Sequence, residues 1–315
     1  LVRLGYIKTI CGGCSMEFML LTIGDSIDKV FYNFDIAVFK FFADIQCSFL
    51  TVLAKFFTSF GDEAFVIPMV ILGVVLMLFK KTRKYGFALV FAIAVGTIVT
   101  NVIAKPAVLR IRPYNTLQDL DFYWQAYLGA GALSEADYSF PSGHTTAAFE
   151  IAVSMFLVFR ADGKKKIAWV FPVLAACTMG SRVYLMVHYA TDVLGGMIIG
   201  TLSGIAGYYI MKGLMYLIAN VKPFTALDKL DLAKIKFLKW TSGRAGAAVV
   251  AVAVVGIFLY SFIPGLSEGG DVTRCAYDEE YDCYNAARVD DEDYPPIDGR
   301  EYCKIHWKQL MGEDS

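Results

Sequence analysis

Residues 87–113 read FALVFAIAVGTIVTNVIAKPAVLRIRP, and this stretch decides the fold class. No Asp, Glu, Lys or Arg occurs from Phe87 to Ala104, and this length approaches the ~20 apolar residues that a helix needs to cross a bilayer. Further apolar runs occupy residues 65–79, 145–159, 167–187, 193–219 and 245–262. The sequence therefore predicts an all-α fold, a polytopic membrane helical bundle with about six transmembrane helices.

The composition agrees with a membrane protein. The chain has 315 residues, of which 57% are hydrophobic and 19% are charged, whereas a soluble protein usually carries about 25% charge. A soluble all-α protein with buried helices is the alternative.

The net charge of −1 hides an asymmetry, because residues 264–315 carry 14 acidic and 5 basic side chains. The remaining basic residues lie in short loops, so we predict no nucleic-acid partner.

The apolar runs divide the chain into four regions. Residues 28–60 are aromatic-rich and amphipathic, a pattern that predicts one or two helices lying in the membrane interface. A crossing helix over residues 36–58 is the alternative. The predicted regions are an N-terminal extension with interfacial helices (1–60), a transmembrane core (61–219), a basic cytoplasmic loop with the final transmembrane helix (220–263) and an acidic extracytoplasmic tail (264–315).

Three basic loops fix the expected orientation of the bundle. They lie at residues 80–84, 160–166 and 222–244, and the positive-inside rule places such loops in the cytoplasm. The polar segments after residue 104, around residue 141 and around residue 188 then all fall on the opposite side. We therefore expect an integral protein of the plasma membrane whose site faces the extracytoplasmic side.

Two features inside the apolar runs stand apart from this pattern. Gly196, Gly200 and Gly204 recur every four residues, and small residues at that spacing predict close packing between helices. Glu150 lies within the run at 145–159, where a carboxylate is costly and often functional. The sequence leaves the role of this carboxylate open.

The two ends of the chain carry most of its cysteines. The chain begins at Leu1, and we recognise no secretory signal peptide with a cleavage site. Cys11 and Cys14 form a C-x2-C pair, but no second pair follows at zinc spacing, so we predict no metal site there. The acidic tail predicts a solvated, loosely folded segment. One disulfide is possible, in any of three pairings, among three tail cysteines: Cys275, Cys283 and Cys303.

The first polar segment adjoins the run at 87–109. Lys105 and Arg112 flank a third cation, Arg110, and prolines at 106 and 113 stiffen the segment. An arginine offers a planar fork of donors that suits phosphate oxygens, and a lysine supplies a compact positive charge. Cations beside a membrane span can also be simple interfacial anchors, so this segment alone predicts little.

The second polar segment is Pro141-Ser142-Gly143-His144, which precedes the run at 145–159. Ser142 is a candidate helix N-cap, and Gly143 allows the backbone to approach a ligand closely. The start of a helix presents free N–H groups and a positive dipole end, which favour an anion. His144 would lie beside that anion. A capped helix with an interfacial histidine is the alternative.

The third polar segment contains Ser181, Arg182, His188 and Asp192. His188 and Asp192 are four residues apart, so a helix places them on one face. A carboxylate bonded to one imidazole nitrogen fixes the tautomer and leaves the other nitrogen free as a nucleophile. Arg182 can hold phosphate oxygens. A metal site is the alternative, but the chain has only three histidines and offers few further ligands.

Taken together, these segments resemble the type-2 phosphatidic acid phosphatase superfamily over roughly residues 30–215. The resemblance rests on three matches to the family signature, in order: K-x6-R-P from Lys105, P-S-G-H from Pro141 and S-R-x5-H-x3-D from Ser181. It implies an all-helical bundle with its site at the extracytoplasmic surface.

The resemblance also implies roles for the signature residues. His188 would attack phosphorus and form a phosphohistidine, Asp192 would orient His188, and His144 would protonate the leaving group. No metal and no cofactor are expected, since fixed cations would do the electrostatic work that magnesium does elsewhere. The transferred phosphoryl group would be held by Lys105, Arg112, Ser142, Gly143 and Arg182.

The expected function is hydrolysis of a lipid phosphate or diphosphate monoester by a metal-independent membrane phosphatase. Undecaprenyl diphosphate, phosphatidylglycerophosphate and phosphatidic acid are candidate substrates. The alternative is a non-enzymatic lipid-binding or transport member of the same fold, although a pure binder needs no nucleophile. The family's haloperoxidases are soluble, which argues against that activity here. Aromatic residues between 111 and 140 suit either a lid over a lipid headgroup or an interfacial belt.

Overall fold

The structure is a computed structural model of the chain. It describes residues 22–135 and 137–267, the backbone of residues 6–11 and 14–19, and a few positions between 296 and 311. Helices dominate this part of the chain, as the sequence predicts. The longer helices are α1 (Ile23–Asp44), α2 (Ser48–Thr58), α3 (Glu63–Met77), α4 (Arg83–Thr97), α7 (Asp121–Gly129), α8 (Gly143–Ala161), α10 (Val170–Tyr184), α11 (Ala190–Asn220) and α13 (Arg244–Ser267).

Short elements connect these helices. A π-helical segment, Ile98–Ala104, continues α4 into the single turn α5 (Lys105–Val108). The other short helices are α6 (Pro113–Thr116), α9 (Lys165–Ala168), α12 (Thr225–Asp228) and two 3₁₀ segments at Leu232–Lys234 and Lys236–Ser242. Strands β1 (Tyr6–Cys11) and β2 (Cys14–Met19) form a two-stranded antiparallel hairpin that the sequence did not predict. In the register of this hairpin, Cys11 lies opposite Cys14.

The amphipathic N-terminal stretch folds as two helices, α1 and α2. A capping box starts α1, because Thr22 Oγ1 accepts a hydrogen bond from Asp25 N at 3.0 Å and Asp25 Oδ2 accepts one from Thr22 N at 2.7 Å. The chain leaves the helical path at residues 45–47, between the two helices. A single continuous helix over residues 36–58 is therefore wrong, and α2 belongs to the stretch Ser48–Met77, which is long and apolar enough to cross a membrane.

Helix α11 forms the centre of the bundle and packs most extensively against α8 and α4. Its glycines permit this approach: a Cβ at Gly196 would lie 2.7 Å from the backbone oxygen of Ser142, and one at Gly200 would lie 2.5 Å from that of Thr146. At Gly204 a Cβ would meet Val153 Cβ at 2.8 Å. The predicted packing role of these glycines is confirmed.

The polytopic character of the bundle is also confirmed. Within the described residues, five stretches are long and apolar enough to cross a membrane: Ser48–Met77, Arg83–Thr116, Lys165–Tyr184, Ala190–Asn220 and Arg244–Pro264. Helix α8, predicted as a span at 145–159, is not among them. It packs against α4, α10 and α11 and buries polar side chains, including Thr145, Glu150 and Ser154. Glu150 Oε2 has no hydrogen-bond partner among the described residues.

The three basic loops meet at one end of the bundle. Lys80 Nζ donates to Asp228 Oδ2 at 2.6 Å, which joins the loop before α4 to the segment after α11. Lys84 pairs with Asp162 in the loop after α8. The three polar segments lie at the opposite end of the bundle, because they adjoin the other ends of the same helices. The possible disulfide among Cys275, Cys283 and Cys303 and the acidic run at 290–293 lie outside the described residues.

Candidate active site

The three polar segments converge at one end of the bundle. Lys105 and Arg112 follow the end of α4, Ser142 starts α8, and Arg182 lies in the last turn of α10. Because these helices run in alternating directions, their termini meet. Every side chain that the sequence assigned to the site belongs to this one cluster.

His188 lies at the bottom of the cluster, fully buried in the turn between α10 and α11. Its Nε2 is 3.1 Å from Arg112 Nη1, and its Nδ1 is 3.5 Å from Asp192 Oδ2. Ser139 Oγ donates to the same Asp192 oxygen at 2.5 Å and lies 3.5 Å from His188 Nδ1. The carboxylate faces Nδ1, so the proton belongs on Nδ1 and the Nε2 lone pair points toward the cations.

Two buried arginines, Arg112 and Arg182, lie on the Nε2 side of His188. Arg112 donates from Nε to the Asp137 backbone oxygen at 3.0 Å and from Nη1 to that of Val187 at 3.2 Å. Arg182 donates from Nη1 to Thr58 Oγ1 at 2.7 Å, and its Nε has no partner among the described residues. Such a concentration of buried donors is suited to an anion with several oxygens.

Two carboxylates occupy this cationic pocket. Glu135 forms ion pairs with both Arg112 and Arg182, and Asp137 forms ion pairs with Arg112 and Lys105. Glu135 also reaches both histidines: its Oε1 is 3.8 Å from His144 Nδ1, and its Oε2 is 3.9 Å from His188 Nε2. The loop before α8 thus supplies the negative charge that balances the pocket.

The start of α8 lies on the other side of the pocket. Ser142 caps the helix, as predicted, and its Oγ accepts hydrogen bonds from Thr145 N at 3.4 Å and Thr145 Oγ1 at 3.1 Å. A Cβ at Gly143 would lie 3.6 Å from Lys105 Nζ, so the lysine faces the helix start. His144 is partly exposed, and its Nε2 is 3.8 Å from Asp62 Oδ2.

The charges in the pocket shift the pKa values of its titratable groups. Burial, followed by the neighbouring Arg112, lowers the pKa of His188 to about 4, so this imidazole is neutral at pH 7. Burial alone would raise the pKa of Glu135, but Arg182 and Arg112 outweigh burial and hold it well below the ordinary value. Arg112 and Lys105 likewise lower the pKa of Asp137 against the effect of burial.

Two residues with left-handed backbone conformations lie close to the site residues in the chain. Leu109, with φ of 56°, ends α5, and Met186, with φ of 59°, precedes His188 by two residues. Left-handed conformations of non-glycine residues are uncommon and cost free energy. Tyr123 donates a hydrogen bond to the backbone oxygen of Met186 and so helps to hold the turn.

Comparisons with known proteins point to one family. The family model of the PAP2 superfamily matches residues 85–216. An undecaprenyl-diphosphatase from Sulfolobus acidocaldarius is 31% identical over 170 residues, 54% of this chain and 74% of that protein. A phosphatidylglycerophosphatase B from Bacillus subtilis is 31% identical over 187 residues, 57% of this chain and 82% of that protein. The chain belongs to the PAP2 superfamily.

Among solved PAP2 structures, the crystal structure of the first transmembrane PAP2-type phosphatidylglycerolphosphate phosphatase, from Bacillus subtilis, is similar to the chain at 25% identity and a TM-score of 0.49. The similarity covers 64% of this chain and 93% of that one. The match to the PAP2 family model begins at Tyr85, so α1, α2 and α3 lie outside it.

Several side chains at this PAP2 site could not be recognised from the sequence pattern. Glu135 and Asp137 lie in a loop with no periodicity, and their only signal was acidity close to the P-S-G-H segment. Ser139 looked like an ordinary loop residue. Arg110, noted in the sequence only as a third cation near Lys105 and Arg112, donates to Asp192 Oδ1 at 2.5 Å.

The aromatic residues of the loop also differ from expectation. Tyr114, Tyr123 and Tyr127 are buried in a core cluster and form neither a lid nor a belt. Tyr114 and Tyr127 stack with ring centroids 5.3 Å apart. The hydroxyl of Tyr114 donates to the Glu135 backbone oxygen at 2.7 Å and accepts from Glu135 N at 2.8 Å. These tyrosines therefore fix the loop that carries Glu135.

Proposed function

We propose that the protein is a membrane phosphatase that hydrolyses phosphate or diphosphate monoesters of lipids. The observation that carries the proposal is a buried imidazole whose unprotonated Nε2 faces Arg112 and Arg182 while its Nδ1 faces the carboxylate of Asp192. The relatives named above act on undecaprenyl diphosphate and phosphatidylglycerophosphate by name, which supports a lipid substrate. Five long apolar stretches support access from a bilayer.

In the proposed first step, His188 Nε2 attacks phosphorus, an N–P bond forms and the ester P–O bond breaks. Asp192 keeps the proton on Nδ1 and stabilises the positive charge that develops on the ring. His144, protonated before the step, gives its proton to the leaving oxygen. In the second step water attacks phosphorus, His144 takes up a proton from it, and phosphate leaves His188.

Lys105, Arg112 and Arg182 would hold the non-bridging phosphoryl oxygens through both steps, together with Ser142 and the Gly143 amide. Fixed cations stabilise the charge of a phosphoryl transition state without reorganisation. We therefore expect the rate to be unchanged by a chelator, and a strict requirement for magnesium would contradict the mechanism.

Substrate binding would exchange one set of anions for another. Glu135 and Asp137 now neutralise the cations that a phosphoryl group needs, and two sets of anions cannot occupy the same donors. The phosphate of the lipid would displace these carboxylates, and the Nε of Arg182, which has no partner among the described residues, would gain an acceptor.

The test is phosphate release by the detergent-solubilised protein from a panel of isoprenoid diphosphates and glycerolipid phosphates. We expect His188→Ala to abolish turnover, and His144→Ala to slow formation of the phosphoenzyme most for poor leaving groups. His306→Ala is a matched control, because His306 is the third histidine of the chain and has no role in the mechanism. Turnover that survives His188→Ala would refute the assignment. Binding without turnover in the unaltered protein would favour the lipid-binding or transport alternative.

We also infer the membrane and the orientation of the protein. It would lie in the plasma membrane with its site open to the extracytoplasmic side, because the basic loops gather at the end of the bundle opposite to the site and basic loops face the cytoplasm.

A further inference from the structure

We propose that Arg110 and Asp35 are positioning residues that hold the carboxylate of Asp192, so that helix α1 forms part of the catalytic apparatus. The inference rests on the proposed function, in which Asp192 orients the nucleophile. It assigns a role to a helix that precedes the matched family region at 85–216.

Arg110 is buried, with 1% of its surface exposed, and each guanidinium nitrogen has a carboxylate partner. Its Nε donates to Asp28 Oδ1 at 2.8 Å, its Nη2 to Asp35 Oδ2 at 2.8 Å, and its Nη1 to Asp192 Oδ1 at 2.5 Å. The guanidinium also lies 3.8 Å from the ring centroid of Tyr189. One planar fork thus joins α1 to the first turn of α11.

Asp35 makes a second connection between the same two helices. It is buried and accepts hydrogen bonds from Thr191 N at 2.9 Å and from Thr191 Oγ1 at 2.8 Å. Thr191 immediately precedes Asp192, so Asp35 fixes the backbone from which the catalytic carboxylate projects. A carboxylate with three buried donors has no freedom to leave this position without exposing unpaired polar groups.

The two oxygens of Asp192 consequently have separate tasks. Oδ1 is held by Arg110, whereas Oδ2 accepts from Ser139 Oγ at 2.5 Å and from Tyr189 N at 3.0 Å and faces His188. Without Arg110, Ser139 Oγ and Tyr189 N would still hold Oδ2 beside the imidazole, but Oδ1 would lose its donor and the carboxylate would be less firmly placed. A misplacement of about 1 Å at a catalytic group can cost about 100-fold in rate.

The charge of Arg110 also reaches the nucleophile. It offsets the negative charge of Asp192, and a less compensated carboxylate favours the protonated imidazole. The other charged groups that face His188 are Arg112, Arg182 and Glu135, and a substitution at Arg110 removes none of them. Removal of the Arg110 charge should therefore move the titration of His188 to higher pH.

The decisive measurement is the titration of His188 by NMR in a sample labelled at histidine, which is practical because the chain has only three histidines. We expect Arg110→Gln to raise the titration midpoint of His188 by about one pH unit, and Arg110→Lys, which keeps the charge, to leave it within about 0.3 unit. Asp44→Asn, at the exposed end of α1, is the matched control and should change nothing. Because no substrate is needed, this readout is independent of the proposed function.

Kinetics give the second readout. We expect Asp35→Asn to lower kcat about 10- to 100-fold while KM changes less than about threefold, because Lys105, Arg112 and Arg182 still bind the phosphate. Unchanged kcat in Asp35→Asn, or an unmoved His188 titration in a folded Arg110→Gln protein, would overturn the proposal. Absence of turnover in the unaltered protein would instead refute the proposed function, and the titration would still decide the role of Arg110.

Discussion

At the residue scale, the pocket is defined by the carboxylate of Glu135. This one side chain pairs with Arg112 and Arg182 and lies within 4 Å of an imidazole nitrogen of each of the two site histidines. Buried like charges would repel without it, so its presence stabilises the unliganded pocket. The same charge opposes any incoming phosphate.

We expect Glu135→Gln to have opposite effects on stability and ligand binding. The neutral amide compensates the arginines poorly, so the melting temperature without ligand should fall. Inorganic phosphate no longer competes with a carboxylate, so its dissociation constant should fall about tenfold, equivalent to about 1.4 kcal/mol. Thermal unfolding with and without phosphate measures both effects. Asp119→Asn, an exposed acidic residue of the same region, is the control, and an equal phosphate response in both variants would contradict this account.

His188 gives a prediction for the dependence of stability on pH. Its pKa is about 4 in the folded protein and near 6.5 in an unfolded chain. Between these values the unfolded state binds a proton that the native state does not, so stability falls as pH falls from about 6.5 to about 4. The loss is at most about 3 kcal/mol. Thermal unfolding at pH 7 and pH 5 should show a smaller loss in His188→Asn than in the unaltered protein, and equal losses would refute the depressed pKa.

At the scale of elements, the position of the site depends on how closely α11 approaches α8. The N-terminal ends of these helices carry Asp192 and Ser142, and Ser142 N donates to the Asp192 backbone oxygen at 3.1 Å. The glycines of α11 leave the space that this contact needs. Packing between the helices therefore sets the distance between the two histidine-bearing segments.

We expect Gly200→Val to destabilise the protein and to lower its activity together. A Cβ at this position would already lie 2.5 Å from Thr146 O and 2.8 Å from Phe149 Cβ, and overpacking of this kind costs about 1–3 kcal/mol. The comparison is Gly213→Val on the same helix, where a Cβ would meet no atom within 4 Å. Melting temperatures in detergent measure the difference, and similar values for the two variants would show that α11 can move without cost.

At the scale of the whole molecule, charge separates the two ends of the bundle. The lysines and arginines of the three basic loops lie at one end, where Lys80 pairs with Asp228 and Lys84 pairs with Asp162. The other end buries its cations around the site. A bilayer between these ends would place the site and the basic loops on opposite sides.

This arrangement predicts the labelling pattern of intact cells. After replacement of the seven native cysteines, a cysteine introduced at exposed Asp119 should react with a membrane-impermeant maleimide from outside. One introduced at exposed Lys165 should react only after the membrane is opened. The reverse pattern would invert the proposed orientation while leaving the chemistry of the site unaffected.

The sequence by itself determined the membrane bundle, the Ser142 cap and the candidate site residues, because apolar run length, N-cap chemistry and motif spacing are local properties. It could not show that α8 lies inside the bundle, that Tyr114 and Tyr123 are buried, or that Arg110 contacts Asp192. Only the tertiary structure decided these points and brought Asp35 and Glu135 to the site. These side chains are separated from their partners by dozens of residues, so their contacts depend on how the helices pack.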